Sequence, residues 1–202
     1  MLNKSAKILS WVLHPFVVPI YVMLILLFTN TVHSYYALRV KVYLLWSVAL
    51  YTLVLPGLTL ALLKRLQELR RVRINKRQFI VIALLVGAVC YVLCAMTMMR
   101  APSLALFRKM AVAGMTCYLF CLISMLFSRV SLHLTAMGAV VALFVLLNIL
   151  GELSLFGELL VAILLSGMLA SARLYMGRNR SRQVLAGFVG GFCCCAIAMM
   201  WL

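Results

Sequence analysis

Apolar runs of membrane-spanning length recur along this chain at 15–28, 42–63, 79–99, 110–128, 134–150, 156–175 and 184–202, with only short connections between them. A bilayer core about 30 Å thick is crossed by a helix of about 20 apolar residues, and inside it every backbone polar group must be satisfied within the segment. The repetition therefore predicts an all-α, polytopic transmembrane helix bundle of about seven spans. The 202 residues are 67% hydrophobic and 11% charged, against about 45–50% and about 25% in soluble domains, which excludes a soluble globule. Seven spans consume most of the chain, so residues 1–202 are expected to form a single integral membrane domain.

Punctuation within the runs adds detail. Pro15 biases His14 away from helix, which predicts a short interfacial helix over 8–13, carrying Trp11, ahead of the first span. Pro56 and Gly57 fall in the middle of the second run and predict a kink. Gly187, Gly190 and Gly191 in the last run predict the close approach of a neighbouring helix. All seven cysteines lie inside apolar runs and read as small buried hydrophobes. Cys90 and Cys94 share a helical face, as do Cys117 and Cys121, but no polar shell accompanies them, and neither a metal nor a cofactor is expected.

The charge is one-sided: nineteen Lys and Arg stand against three acids, a net +16 with His neutral. These bases occupy the connections between spans, where orientation in a membrane already calls for them, so a nucleic-acid partner is not expected. With seven spans, fourteen bases share the side of the N-terminus, and Arg39, Lys41, Arg100, Arg108 and Lys109 make up the other side. The positive-inside rule then puts the N-terminus in the cytoplasm and the C-terminus outside. Lys4 and Lys7 before an apolar run resemble a signal peptide, but no small-x-small site follows, and the segment is read as retained.

The same parity brings three polar clusters to one face: Lys64 to Arg77, Ser131 to His133, and Arg173 to Gln183. Arginines with a serine hydroxyl and an imidazole suit a phosphate group. The simpler alternative is that the bases only touch anionic headgroups, at about 1 kcal/mol each. Glu158, in or beside the sixth span, is either a functional acid or a residue reaching the interface from the Gly157 turn.

The run from Ser171 to Gly187 resembles the third signature of the type 2 phosphatidic acid phosphatase family, which reads Ser-Arg, five residues, His, three residues, Asp. Arg173 matches the arginine, while Asn179 stands at the histidine position and Gln183 at the aspartate position. Ser131-Leu132-His133 is a partial match to the second signature. For the first, Lys64 with Arg71 or Arg70 with Arg77 keeps the spacing without the proline. The His14-Pro15 start, the Leu55-Pro56 kink and the exit from Leu63 to Leu66 are similar to a bacterial subgroup of that family.

The resemblance implies a phosphatidic acid phosphatase-like core in a bacterial cytoplasmic membrane. It also implies a metal-independent lipid phosphatase chemistry in which one imidazole attacks phosphorus and another, here His133, protonates the leaving oxygen. Lys64, Arg70, Arg71, Arg77, Ser131 and Arg173 would hold the phosphate. Asn179 has no lone pair with which to attack and Gln183 no charge with which to orient an imidazole. The expectation is a catalytically degenerate protein binding a phosphate-bearing lipid such as phosphatidate or a polyprenyl phosphate. A residual phosphatase using His133, and a structural partner of a membrane complex, are the alternatives.

Overall fold

The computed structural model describes residues 2–29, 35–70, 76–99, 104–127, 130–150, 155–177 and 179–201, and among these the regular structure is entirely helical. In chain order the helices are α1 (Leu2–Val12), α2 (Val18–Phe28), α3 (Leu38–Ala49), a π-helical segment (Leu50–Val54), α4 (Leu55–Arg70), α5 (Lys76–Thr97), α6 (Ala105–Phe127), α7 (Leu132–Ile149), α8 (Phe156–Tyr175) and α9 (Ser181–Trp201). Among the described residues six stretches are long and apolar enough to cross a membrane: Leu38–Arg65, Arg77–Thr97, Ala105–Met125, Leu132–Ile149, Phe156–Tyr175 and Ser181–Trp201.

The first expected span differs from the rest. Pro15 and Pro19 restrict the start of the 15–28 run, and α2 is helical only over Val18–Phe28, with a proline in its first turn. Eleven residues rise about 16 Å, roughly half of a bilayer core. The interfacial helix ahead of it is longer than expected, Leu2–Val12. It packs on α8 through Ala6 and Ser10 and leaves Lys7, Ile8 and Trp11 exposed. The other helices overrun the apolar runs at their charged ends: α6 takes in Arg108 and Lys109, and α4 continues to Arg70. Long cationic side chains lie along a helix end with their heads in the interface, so they do not terminate it.

The expected irregularity at Pro56 is a π-helical segment directly before it. Pro56 has no N–H to donate, and its ring would collide with the Thr52 carbonyl in a regular α-helix. The chain widens instead, and the Leu55 N–H bonds the Leu50 carbonyl five residues back. Thr52, buried in this segment, returns its hydroxyl to the Val48 carbonyl at 2.8 Å.

The tightest packing is between α7 and α9, with α5 against α6 next. Glycines set the first contact: a Cβ on Gly138 would overlap the Phe188 carbonyl, one on Gly191 the Thr135 carbonyl, and one on Gly187 would sit 2.8 Å from the Ser131 oxygen. Two of the three glycines singled out in the last run therefore meet α7 or its N-cap, while Gly190 seats the Phe120 ring of α6. Between α5 and α6 the fit is reciprocal, with the Tyr118 ring on Gly87 and the Tyr91 ring on Gly114. Without a hydrophobic force between helices in lipid, such backbone-close packing supplies the association energy. The core centres on Leu26, Leu27, Leu44, Phe107, Phe144 and Leu147.

Candidate functional site

The link between α8 and α9 builds one wall of the site. After Tyr175 the chain passes through Met176 and Gly177, whose φ of +62° is the left-handed conformation that stops a helix at little cost to glycine. This turn brings Asn179 back to the last turn of α8, where its Oδ1 accepts from Arg173 Nε at 3.1 Å. The next helix is capped by its own third residue: Gln183 Oε1 accepts from the Arg180 N–H at 3.1 Å, half of a capping box. The Gln183 carbonyl also accepts from the Ser131 N–H at 3.3 Å, which ties the start of α9 to the start of α7. Asn179 and Gln183 thus have defined structural roles here, as the clamp of Arg173 and the cap of α9.

Arg173 reaches across to α1, where its Nη1 donates to Ser10 Oγ at 3.3 Å. On the other side of the same residue, His133 Nε2 lies 3.2 Å from the Ser10 carbonyl. A carbonyl only accepts, so the His133 ring carries its proton on Nε2 and donates it there. Ser10 therefore bridges the two side chains that the sequence paired. His14, from the link between α1 and α2, stands edge to face with the His133 ring, centroids 5.4 Å apart. The Phe16 N–H donates to His14 Nδ1 at 3.4 Å, which leaves the proton of the neutral ring on Nε2. Burial, and then the Arg173 charge, hold the His14 pKa below its ordinary value of 6.5.

Ser131 is 1% exposed at the N-cap of α7, and among the described residues its hydroxyl has no hydrogen-bond partner; it enters the network through its backbone instead. Lys64 is exposed on α4, one turn beyond Leu60. Arg77, at the start of α5, donates from Nη2 to the Met125 carbonyl at 3.1 Å and so fastens the ends of α5 and α6. Arg70 ends α4, and Arg71 lies outside the described residues. The structure brings Arg173, His133, Asn179 and Gln183 into one connected network, with Ser131 joined by its backbone. Lys64, in the C-terminal half of α4, and Arg77, at the start of α5, show no hydrogen bond to that network among the described residues.

Beneath the histidines lies a cavity of about 310 Å³. Half-buried His14, Phe16, Leu60, Phe79 and His133 line it together with buried Met23, Tyr91, Cys94 and Phe107. Its walls are overwhelmingly apolar. Such a space has the shape and polarity that suit a hydrocarbon chain, His14 and His133 give its wall two imidazoles, and Arg173, which is not a wall residue, is close enough for its charge to act on His14.

Sequence reasoning missed His14 and Ser10. The sequence signal for His14 is Pro15, which keeps it out of the helix, but nothing in its spacing assigns it to the site. Ser10 carried no signal beyond its position in a short amphipathic segment. Among the described residues no group of three or more His, Cys, Asp or Glu is placed to hold a metal ion. In comparisons with known proteins no family model matches this chain, and neither a curated protein nor a solved structure matches it.

Proposed function

We propose that this multi-pass membrane protein binds a phosphate-bearing lipid, such as phosphatidate or a polyprenyl phosphate, at one membrane interface. The head lies among His14, His133 and Arg173 and the tail fills the cavity. The observation that carries this reading is the presence of two imidazoles, near an arginine, in the wall of an apolar cavity of about 310 Å³. A free anion would leave the cavity unfilled, and a plain hydrocarbon would make no use of the imidazoles and the nearby guanidinium; an anionic amphiphile engages both. The engagement of Asn179 with Arg173 and of Gln183 with the α9 cap supports binding without turnover.

The reading includes a type 2 phosphatidic acid phosphatase-like core with seven crossings, of which α2 is the short one. Its start adjoins His14 at the site, and its last residue, Phe28, lies under the Lys41 ammonium near the start of α3, 5.0 Å from centroid to Nζ. The basic face then lies on the cytoplasmic side of a bacterial inner membrane.

The binding test is native mass spectrometry of protein released from vesicles of phosphatidylcholine containing a minor fraction of phosphatidate. Retention of phosphatidate over phosphatidylcholine, lost in Arg173→Ala, is expected; equal retention of the two lipids would contradict the reading. A residual metal-independent phosphatase using His133 is favoured by one observation, the second imidazole of His14 standing against it. Phosphate release from phosphatidate decides between them. The binding reading expects none above a His133→Ala control, and turnover that disappears in that control would favour the enzyme.

A further inference from the structure

His14 has a position that the sequence did not assign to it. Pro15 holds it out of α1 and α2, so its ring is presented from a link between helices, packed against His133 at 5.4 Å and Phe16 at 4.9 Å. It is also a wall residue of the cavity. Around it, among the described residues, the charged or titratable groups are His133 from α7 and Arg173 from α8. Helix α1 contributes Ser10 to this network, and α4 and α5 contribute the apolar Leu60, Phe79 and Ile80 to the cavity wall.

We propose that His14 is a second headgroup-binding residue and takes up a proton when an anionic amphiphile binds, so that anion binding strengthens as the pH falls. The inference rests on the phosphate-lipid reading above. Before binding, burial and the nearby guanidinium disfavour the imidazolium, and the ring is neutral at pH 7. An anion seated beside it offsets the Arg173 charge and adds an opposite charge of its own, and both effects favour the protonated ring. The step is one proton taken from buffer onto Nδ1 of His14, the Nε2–H being present already; the 3.4 Å hydrogen bond that Nδ1 accepts from the Phe16 N–H is given up, and the new N–H donates to the bound anion. Linkage is reciprocal: whatever factor the anion adds to the proton affinity of His14, the proton adds to the affinity for the anion.

A suitable probe is octyl sulfate in maltoside micelles, because its charge is fixed across the neutral range and it cannot supply the titration itself. The full-length protein is expected to bind it about three- to tenfold more tightly at about pH 5.5 than at about pH 7.5. His14→Gln is expected to keep measurable binding with a flat pH profile, while His133→Gln keeps the gain at low pH. Independently of any variant, the His14 ring resonances should titrate at higher pH with octyl sulfate than without it. A full low-pH gain in His14→Gln, or a His14 titration unmoved by the ligand, would overturn the proposal while leaving the lipid reading standing. Failure of the unmodified protein to bind octyl sulfate at any pH, with Arg173→Ala indistinguishable from it, would overturn both.

Discussion

At the residue scale, the polar cluster shows how one side chain can answer to two demands. Ser131 keeps a buried hydroxyl that neither caps α7 nor finds another partner among the described residues. Deleting a desolvated, unengaged hydroxyl is close to neutral or stabilising by up to about 1 kcal/mol, so Ser131→Ala is expected to hold or raise the thermal midpoint. If that hydroxyl serves the phosphate, the same variant loses affinity for dodecyl phosphate; the two readouts together separate a ligand-facing group from a packing one. Gln183→Ala removes an N-terminal cap and is expected to cost about 0.5–1 kcal/mol in an unfolding titration.

His14 gives the ligand-free protein a pH dependence of its own. Its folded pKa lies below the unfolded value of 6.5. The unfolded chain therefore binds the proton more readily, and stability, complete above about pH 6.5, falls as the pH drops through 6.5 toward the folded value. Thermal midpoints measured at descending pH should show that loss, and His14→Gln should reduce it. Arg173, His133, Asn179 and Gln183 are legible as a group because the order of the apolar runs brings their clusters to one face. The bridge between Arg173 and His133 is not, because it runs through Ser10, a residue more than a hundred positions away.

At the element scale, glycines divide sharply by what faces them. Gly138 and Gly191 abut backbone carbonyls across the α7–α9 contact, so an added methyl forces the helices apart. Gly138→Ala or Gly191→Ala is expected to destabilise by about 1–3 kcal/mol or more. Gly167 in α8 has nothing within 4 Å of the added atom, and Gly167→Ala should be neutral or gain about 0.5–1 kcal/mol from lower backbone entropy. Thermal unfolding of the three variants in one detergent compares them directly, and equal losses would sink the packing argument. The glycines of the last run announced this contact in the sequence. The reciprocal Tyr91–Gly114 and Tyr118–Gly87 pairing did not, since each partner lies on a different helix and its register depends on how the two pack. Likewise Pro56 announced an irregular helix, while its form, a widened turn, follows from how the freed carbonyls are satisfied.

At the scale of the whole molecule, the helical membrane class was fixed by apolar run length alone, and six full-length helices agree with it. The remaining run could not be resolved by composition, because its prolines shorten the helix without making the segment any less apolar. The proposed arrangement, with α2 as the seventh crossing and the N-terminus in the cytoplasm, predicts that a reporter active only in the periplasm is active when fused after the last residue. An inactive fusion there would contradict that arrangement.

The central claim is that one ligand engages the polar cluster and the cavity at once, and the binding of dodecyl phosphate in maltoside micelles tests it most directly. Arg173→Ala alters the head end, and Ala83→Phe fills part of the apolar wall without touching the polar network. Each is expected to weaken dodecyl phosphate binding at least about tenfold, while inorganic phosphate responds to Arg173→Ala alone and dodecanol to Ala83→Phe alone. Dodecyl phosphate binding that ignores either variant, in protein whose thermal midpoint is unchanged, would contradict the account.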